Sequence, residues 1–252
     1  MKMKRKKKRS FPKVTVLLLA ASAVFLVGSG VGSARAALTY YSENYSVQMN
    51  MQSIGVSLVE NDQVVSSRDY ADADKWEGTT EGSLLSNLLG EDEKFTPGKK
   101  YDEAISVTNS GNIDTFVRVI ITKSWQDANG GKNTSLDPQL IELNYLTDNG
   151  WVVAEDQSTT ERTVLYYTKA LPVGESTPAL SDTIRINESI ASEVNKTVKD
   201  NTITYTYKYD GYTFHLDAEV DAVQTHNAKD AIKSAWGVDV NVTEDETGLS
   251  LQ

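Results

Sequence analysis

The chain has 252 residues and no cysteine, which excludes cysteine chemistry and a disulfide framework, so its stability depends on a hydrophobic core or on assembly. Nine of the 25 basic residues and none of the 35 acidic residues lie in the first 36 positions. The overall net charge of −10 therefore becomes −19 over the remaining 216 residues. Such a surface repels nucleic acid and anionic membranes, and it favours cations and basic partners.

The N-terminus has the order of a secretory signal peptide. A basic start, an apolar run from Val14 to Val27 and the cleavage motif Ala34-Arg35-Ala36 follow one another. Residues 1–36 are predicted to be removed during export, so that the secreted chain begins at Ala37. The alternative is a retained membrane anchor, but glycines and Arg35 interrupt the apolar run before it reaches the ~20 residues of a membrane span. The predicted location is extracellular, with membrane contact only during export.

The rest of the chain alternates β-branched or aromatic residues with polar ones in short runs, which Gly, Asn, Asp and Pro separate. A period of two is typical of half-buried strands. We therefore predict an all-β fold, an antiparallel β-sandwich or barrel, in a single domain that spans residues 37–252. The predicted strands are Gln48–Leu58, Tyr101–Thr108, Thr115–Trp125, Ile141–Leu146, Trp151–Ala154, Thr163–Thr168, Asp182–Ile186, Thr202–Tyr209 and Tyr212–Val223.

The strongest local prediction is a β-hairpin with Asp210-Gly211 as its turn. An Asp-Gly pair readily adopts the positive φ angles of a type I′ turn. Pairing across this turn places Tyr207 opposite Phe214 and Tyr205 opposite Leu216 on one face. Both strands then agree on which face points into the protein.

A few short helices are predicted at the periphery of the sandwich. Leucines between Ser83 and Gly90 form an apolar stripe, and Asp137-Pro138 resembles a cap followed by proline at the first helical position. The clearest helix is Ala228–Trp236, because Asn227 can cap its start and Gly237 can end it.

One predicted strand carries a candidate cation-binding face. His215, Asp217, Glu219 and Asp221 alternate with apolar residues, so their side chains lie about 6–7 Å apart on one face. A hard divalent cation such as calcium could bind weakly to these carboxylates. The competing interpretation is a solvated outer face, because one strand rarely supplies the six or more oxygens that calcium prefers. No other cofactor is predicted.

The sequence contains no complete catalytic motif. It lacks H-E-x-x-H, G-x-S-x-G and a phosphate-binding glycine loop, and its only histidines are His215 and His226. We therefore predict no catalytic residue. A monomeric adhesin or carbohydrate-binding module is another possibility, since Trp76, Trp125 and Trp151 could stack on sugars if they were exposed, although tryptophans of sandwiches more often belong to the core.

Three segments are distinctive: the signal end at residues 32–42, Pro97-Gly98, and the strand end Val107–Gly111. Together they resemble the TasA and camelysin family of exported proteins of Gram-positive bacteria. A wider set resembles a clostridial branch of the family, and the resemblance spans nearly the whole mature chain. This set comprises Asp148–Trp151, Glu161–Tyr167, Glu219–Asn227 and Ser234–Val238.

The resemblance implies a jelly-roll-like sandwich, cleavage by a SipW-type signal peptidase and assembly into fibres of a biofilm matrix, with a possible accessory matrix protein. In such fibres the freed N-terminal segment of one subunit adds a strand to the next. Here that segment is 37–51, and it begins at the predicted cleavage site formed by Ala34, Ala36 and Ala37. Its candidate strand-forming residues are Leu38, Tyr40, Tyr41, Tyr45 and Val47. The same segment could instead pair with its own sheet.

The family also has a competing implication, because camelysins are described as metal-dependent endopeptidases. A secreted peptidase is therefore the alternative to a noncatalytic matrix subunit, with His215 and His226 as the candidate ligands. Without a recognisable zinc motif, no position can be assigned a catalytic role.

Overall fold

The computed structural model describes residues 53–72, 75–80, 83–90, 93, 95–199 and 202–252, and of 69–72 and 75–80 it describes the backbone alone. The chain divides into two units, Met1–Val47 and Gln48–Gln252, and the described residues all belong to the second. The prediction of an all-β fold is confirmed for this unit, which consists mainly of antiparallel strands in a sandwich-like arrangement. The jelly-roll connectivity stays a prediction.

The described residues form sixteen strands, one α-helix and three short 3₁₀ helices. The strands are β1 (Gly55–Glu60), β2 (Gln63–Asp72), β3 (Lys75–Thr80), β4 (Tyr101–Asp102), β5 (Ile105–Asn109), β6 (Thr115–Gln126), β7 (Lys132–Asn133), β8 (Ile141–Tyr145), β9 (Trp151–Val153), β10 (Arg162–Tyr167), β11 (Ser181–Ile186), β12 (Val194–Lys199), β13 (Thr202–Tyr207), β14 (Thr213–Gln224), β15 (Val240–Val242) and β16 (Leu249–Leu251). The α-helix is α1 (Ala228–Trp236), and the 3₁₀ helices are Pro138–Leu140, Glu155–Gln157 and Glu188–Ala191.

Three sheets make up the body of this unit. The β1 sheet has the order β3-β2-β1-β5, the β6 sheet has the order β14-β6-β10-β9 with β7 also on β6, and the β11 sheet has the order β4-β11-β8. The segment before β11 continues along β5, where the N–H groups of Thr177 and Leu180 donate to the carbonyls of Val107 and Ile105. These bonds join the β1 and β11 sheets into one layer. The other two pairs, β12–β13 and β15–β16, are separate two-stranded sheets.

Strand β6 is the centre of the fold because it is buried on both faces. Val117, Val119 and Ile121 contribute to the main core together with residues of β1, β5 and β11. Phe116 and Ile120 point the other way, into a second core that α1 and β15–β16 help to form. Burial on both faces explains why the sequence of β6 is a nearly continuous apolar run instead of an alternating one.

Helix α1 has the predicted bounds, and its C-terminal signal is confirmed. Gly237 has a φ of +74° and donates its N–H to the Lys233 carbonyl. The predicted N-cap is wrong in its chemistry, because Asn227 adopts a left-handed conformation and its side chain makes no capping hydrogen bond. Ala228 and Ile232 are buried on the second core, so packing on the sheet holds the helix in place.

The other two helix predictions give different local structures. Asp137 accepts a hydrogen bond from the Gln139 N–H at 2.9 Å, as a cap does, but it begins a 3₁₀ helix of only three residues. The leucine stripe between Ser83 and Gly90 forms turns, because Leu85 has a φ of +66° and a left-handed residue interrupts an α-helix. The leucines still pack against the main core.

The predicted hairpin at Asp210-Gly211 is wrong. A turn is present, since the Tyr212 N–H donates to the Tyr209 carbonyl, but of its two central residues only Gly211 has a positive φ. A type I′ turn needs two such residues, so this turn does not bring its flanking strands together. Strand β13 pairs with β12 and strand β14 pairs with β6 instead.

The turn with two left-handed residues lies elsewhere. Asn61 and Asp62 have φ angles of 49° and 66°, and they join β1 to β2 in a two-residue hairpin loop. The Asn61 side chain also accepts a hydrogen bond from the Ala104 N–H at 2.9 Å. This loop therefore sets the register of β1 against β2 and ties the hairpin to β5.

Candidate assembly site

The predictions on export and strand donation fall outside the described residues. They concern the cleavage residues Ala34, Ala36 and Ala37 and the strand-donor residues. The donor residues are Leu38, Tyr40, Tyr41, Tyr45 and Val47. These positions stay predictions, and the surfaces described below belong to residues 53–252.

The described chain begins at a clamp that the loop after β5 forms. The Ser53 N–H donates to Asn112 Oδ1 at 2.6 Å, and the N–H groups of Ser110 and Gly111 donate to the Gly55 carbonyl at 3.0 and 3.1 Å. A Cβ on Gly111 would lie 2.5 Å from the Gly55 nitrogen and 2.6 Å from the Ser53 oxygen, so only glycine permits this approach. The clamp fixes the point at which the chain enters β1.

Strand β14 has an open edge. It is 12 residues long and pairs with β6 over its whole length, but no described residue pairs with its other edge. Ala218, Val220 and Ala222 point toward the main core and are nevertheless only partly buried. An open edge with incompletely covered apolar side chains is a template for the addition of another strand.

The outer face of β14 carries the residues of the predicted cation site. His215, Asp217 and Glu219 are exposed. Asp221 is already engaged, because its Oδ2 lies 2.7 Å from the Arg118 Nε. Among the described residues, no group of three His, Asp or Glu side chains is close enough to hold a metal ion.

The second histidine has a different neighbour. His226 lies just before α1, its side chain is 76% exposed, and its Nδ1 lies 3.4 Å from Glu246 Oε1. His215 lies on the outer face of β14, with Ser124 of β6 as its strand partner. The structure therefore assigns the two histidines separate surroundings.

Strands β12 and β13 form an exposed amphipathic hairpin. Its register pairs Val194 with Tyr207 and Val198 with Ile203, and Tyr205 lies between them on the same face. These five side chains are 41–66% exposed. The opposite face is polar and consists of Asn195, Thr197, Lys199, Thr202, Thr204 and Thr206. Lys196 lies on the same face as these apolar residues, opposite Tyr205, with its Nζ 6.0 Å from the centroid of the Tyr205 ring. A two-stranded hairpin is marginally stable alone, so a largely apolar face on it indicates an interaction surface.

A pair of acidic side chains is buried near the end of β1. Glu103 is 1% exposed, and neither of its carboxylate oxygens has a hydrogen-bond partner. Burial raises the pKa of Glu103 to about 9, and the neighbouring Glu60 carboxylate adds to the rise. Glu60 is also buried, and its Oε1 accepts a hydrogen bond from the Leu85 N–H at 2.6 Å. Glu103 is therefore protonated at neutral pH.

A lysine on the core side of the β6 sheet is buried in a similar way. Lys123 Nζ donates to the Ile141 carbonyl at 2.7 Å, and burial lowers the pKa of this lysine. The sequence does give a sign of this position, because side chains two residues apart in a strand share a face, and Lys123 lies between Ile121 and Trp125 on the core side of β6. Its contact joins β6 to the start of β8, across the core.

Two of the three tryptophans considered for sugar stacking are buried. Trp125 packs against Tyr209 with ring centroids 4.9 Å apart and ring planes tilted by 60°, and Trp151 donates its indole N–H to the Pro178 carbonyl at 2.8 Å. Neither offers a ring face to a carbohydrate. Trp76 lies in β3, where the backbone alone is described.

No protein-family model matches this sequence, and no curated protein matches it either. Among the described residues, no helix is long and apolar enough to cross a membrane.

Proposed function

We propose that this chain is an exported structural subunit of the TasA type, which assembles into extracellular matrix fibres by adding its N-terminal segment to a neighbouring copy. Export releases residue 37 from the signal peptide through a SipW-type peptidase, so cleavage also starts assembly. The protein acts as a building block and performs no catalysis. Its main partner is another copy of itself.

The observation that supports this proposal best is the open edge of β14. It offers 12 residues of unpaired strand edge, and the core-facing side chains Ala218, Val220 and Ala222 remain incompletely covered beside it. A strand added there would gain main-chain hydrogen bonds and would bury these side chains. Head-to-tail addition of this kind is heterologous, so it propagates as a filament.

The N-terminal segment has a suitable pattern for this edge. Tyr45, Val47, Met49 and Met51 alternate with Asn44, Ser46, Gln48 and Asn50. One face of such a strand is apolar and the other is polar. The apolar face suits the uncovered core side of β14, and the polar face suits its charged outer side.

Electron microscopy of the mature chain, Ala37–Gln252, tests the proposal without added metal or protease. We expect filaments of uniform width from this chain, and we expect none after deletion of residues 37–50. Urea unfolding of the truncated chain should remain cooperative, because the described core lies entirely beyond the deletion.

A matched pair of variants tests whether the N-terminal segment acts as a paired strand or is needed for filament formation in some other way. Val47→Lys places a charge on the apolar face and should prevent filaments, whereas Ser46→Lys places it on the polar face and should leave them. Filaments of the truncated chain that match those of the intact chain would refute strand donation.

A further inference from the structure

We infer that the acceptor for the N-terminal strand is a slot between β13 and β14, in which the incoming strand of a second copy pairs with both. This inference rests on the proposed function, and it adds a second wall to the site. The open edge of β14 is one wall. The exposed hairpin β12–β13 supplies the other.

The two strands are consecutive in the chain, yet each has one open edge. Strand β13 pairs with β12 alone and strand β14 pairs with β6 within the described sheets. The residues between them, Lys208–Tyr212, are five in number. Fully extended, five residues span about 16 Å, and two strand spacings need about 10 Å. The number of residues is therefore sufficient to pass one intervening strand, and the turn at Tyr209–Tyr212 takes up part of the difference.

The local geometry prevents β13 from filling this place itself. The turn has only one central residue with positive φ, Gly211, so it does not form the tight hairpin that would make β13 the direct neighbour of β14. Tyr209 is buried against Trp125, and Lys208 forms an ion pair with Glu193 at 2.9 Å. The contact of Tyr209 with Trp125 holds the base of the hairpin beside the β6 sheet, and the ion pair links the two ends of the hairpin.

Strands β13 and β14 have the same alternation of apolar and polar side chains. Along β13, Ile203, Tyr205 and Tyr207 are apolar, as are the core-facing residues of β14, while Thr202, Thr204 and Thr206 match its exposed outer face. An intervening strand with alternating apolar and polar residues extends both faces without a break. Its apolar side chains would lie beside Tyr205 and Tyr207, which are 60% and 58% exposed.

Charge also favours a second copy at this place. The mature chain carries −19, but the strands of the hairpin contain Lys196 and Lys199 and no carboxylate. The segment 37–51 carries Glu43 as its only charged side chain. A weakly charged segment therefore enters beside two strands that carry a net positive charge, which reduces the repulsion between copies of an acidic chain.

Disulfide trapping tests the slot. Because the chain has no native cysteine, any disulfide that forms must join two introduced cysteines. Mature chains with Ser46→Cys are mixed with chains that carry one cysteine on the outer face of β14 or of β13. The β14 positions are His215→Cys, Asp217→Cys and Glu219→Cys, and the β13 positions are Thr202→Cys, Thr204→Cys and Thr206→Cys. We expect mild oxidation to give intermolecular dimers with at least one position on each strand.

A control position lies one strand farther out. Thr197 is the strand partner of Thr204 on β12, so Thr197→Cys would lie about 10 Å from the incoming strand, beyond the ~7 Å Cα separation that a disulfide allows. It should not be trapped by Ser46→Cys.

Three results would overturn the slot. They are trapping on β14 alone, an intramolecular disulfide in a mature chain that carries both Thr204→Cys and Asp217→Cys, and no trapping at all while deletion of residues 37–50 still abolishes filaments. In each of these cases strand donation itself survives. Filaments that do not need residues 37–50 would instead refute the proposed function.

Discussion

Arg118 and Asp221 face each other across β6 and β14, and the Arg118 Nε donates a 2.7 Å hydrogen bond to Asp221 Oδ2. The Arg118 guanidinium also lies over the Trp236 ring, 5.0 Å from its centroid. This arginine therefore connects the edge strand, the central strand and α1. Its ion pair also engages Asp221, which is one of the four residues of the predicted cation-binding face.

Replacing Asp221 with alanine is expected to destabilise the protein by about 1–3 kcal/mol, because it leaves the largely buried Arg118 without its anionic partner. Asp217→Ala on the same face should change the unfolding free energy by less than about 0.5 kcal/mol, since Asp217 is exposed. Urea unfolding at neutral pH measures both. Equal effects of the two variants would contradict a specific role for the Arg118 pair.

The buried Glu103 gives a prediction about pH. Its pKa rises from an ordinary value of 4.5 to about 9 in the folded protein, so folding favours the protonated form. The stability that Glu103 contributes is full below about pH 4.5 and is lost as the pH rises toward 9. Glu103→Gln has a neutral side chain at every pH. We therefore expect its free energy of unfolding to exceed that of the wild type by at least about 1 kcal/mol at pH 8 and by much less at pH 5.

The measurement for Glu103 is the urea midpoint of both chains between pH 5 and pH 8. Glu175→Gln is the matched control, because it makes the same chemical change at an exposed position outside the core. If the difference in urea midpoint between Glu103→Gln and the wild type stayed constant over this range, the pKa of Glu103 would not be raised by folding.

Gly111 is expected to be intolerant of substitution. A Cβ there meets backbone atoms of Ser53 and Gly55, which can move only if the clamp opens, so Gly111→Ala should cost at least about 2 kcal/mol. Gly174→Ala is the comparison, because Gly174 has a φ of +76° but open space around it, and the backbone strain alone should cost about 1 kcal/mol. Thermal or urea unfolding measures the loss of stability in each variant. A larger loss for Gly174→Ala than for Gly111→Ala would contradict the steric argument.

The sequence predicts those elements well whose signals are local and strong. Strand β6 was expected at Thr115–Trp125 and spans Thr115–Gln126, because its apolar run is long and rich in β-branched residues. Helix α1 has its predicted bounds because Gly237 ends it. The sequence analysis misses the strands β2, β3, β7, β12, β15 and β16, since they are polar or at most three residues long and carry a weak periodic signal.

The features of the candidate site depend on contacts that the sequence cannot show. Arg118 is 103 residues away from Asp221 in the chain, and only the pairing of β14 with β6 brings them together. The sequence-based hairpin failed for a similar reason, because Asp210-Gly211 permits a type I′ turn without requiring one. Burial of Glu103 is equally hidden, since an acidic residue next to a strand ordinarily faces solvent.

The apolar face of the β12–β13 hairpin should matter for assembly and hardly for folding. Tyr205 and Tyr207 are more than half exposed, so replacing both with serine removes little buried surface and should change the unfolding free energy by less than about 0.5 kcal/mol. The same double substitution removes the apolar contacts offered to an incoming strand. We therefore expect filaments to be lost or strongly reduced in electron micrographs.

Thr204→Ser with Thr206→Ser is the matched control for these tyrosines, because it changes the same strand on its polar face and should leave filaments intact. Two measurements together identify the role of the hairpin: unfolding of the subunit and the mass of sedimented filament. If the tyrosine variant unfolds at lower urea, the aromatic face supports the fold of the subunit. If it unfolds normally and still forms filaments, the hairpin is not a wall of the acceptor site, and β14 alone must receive the strand.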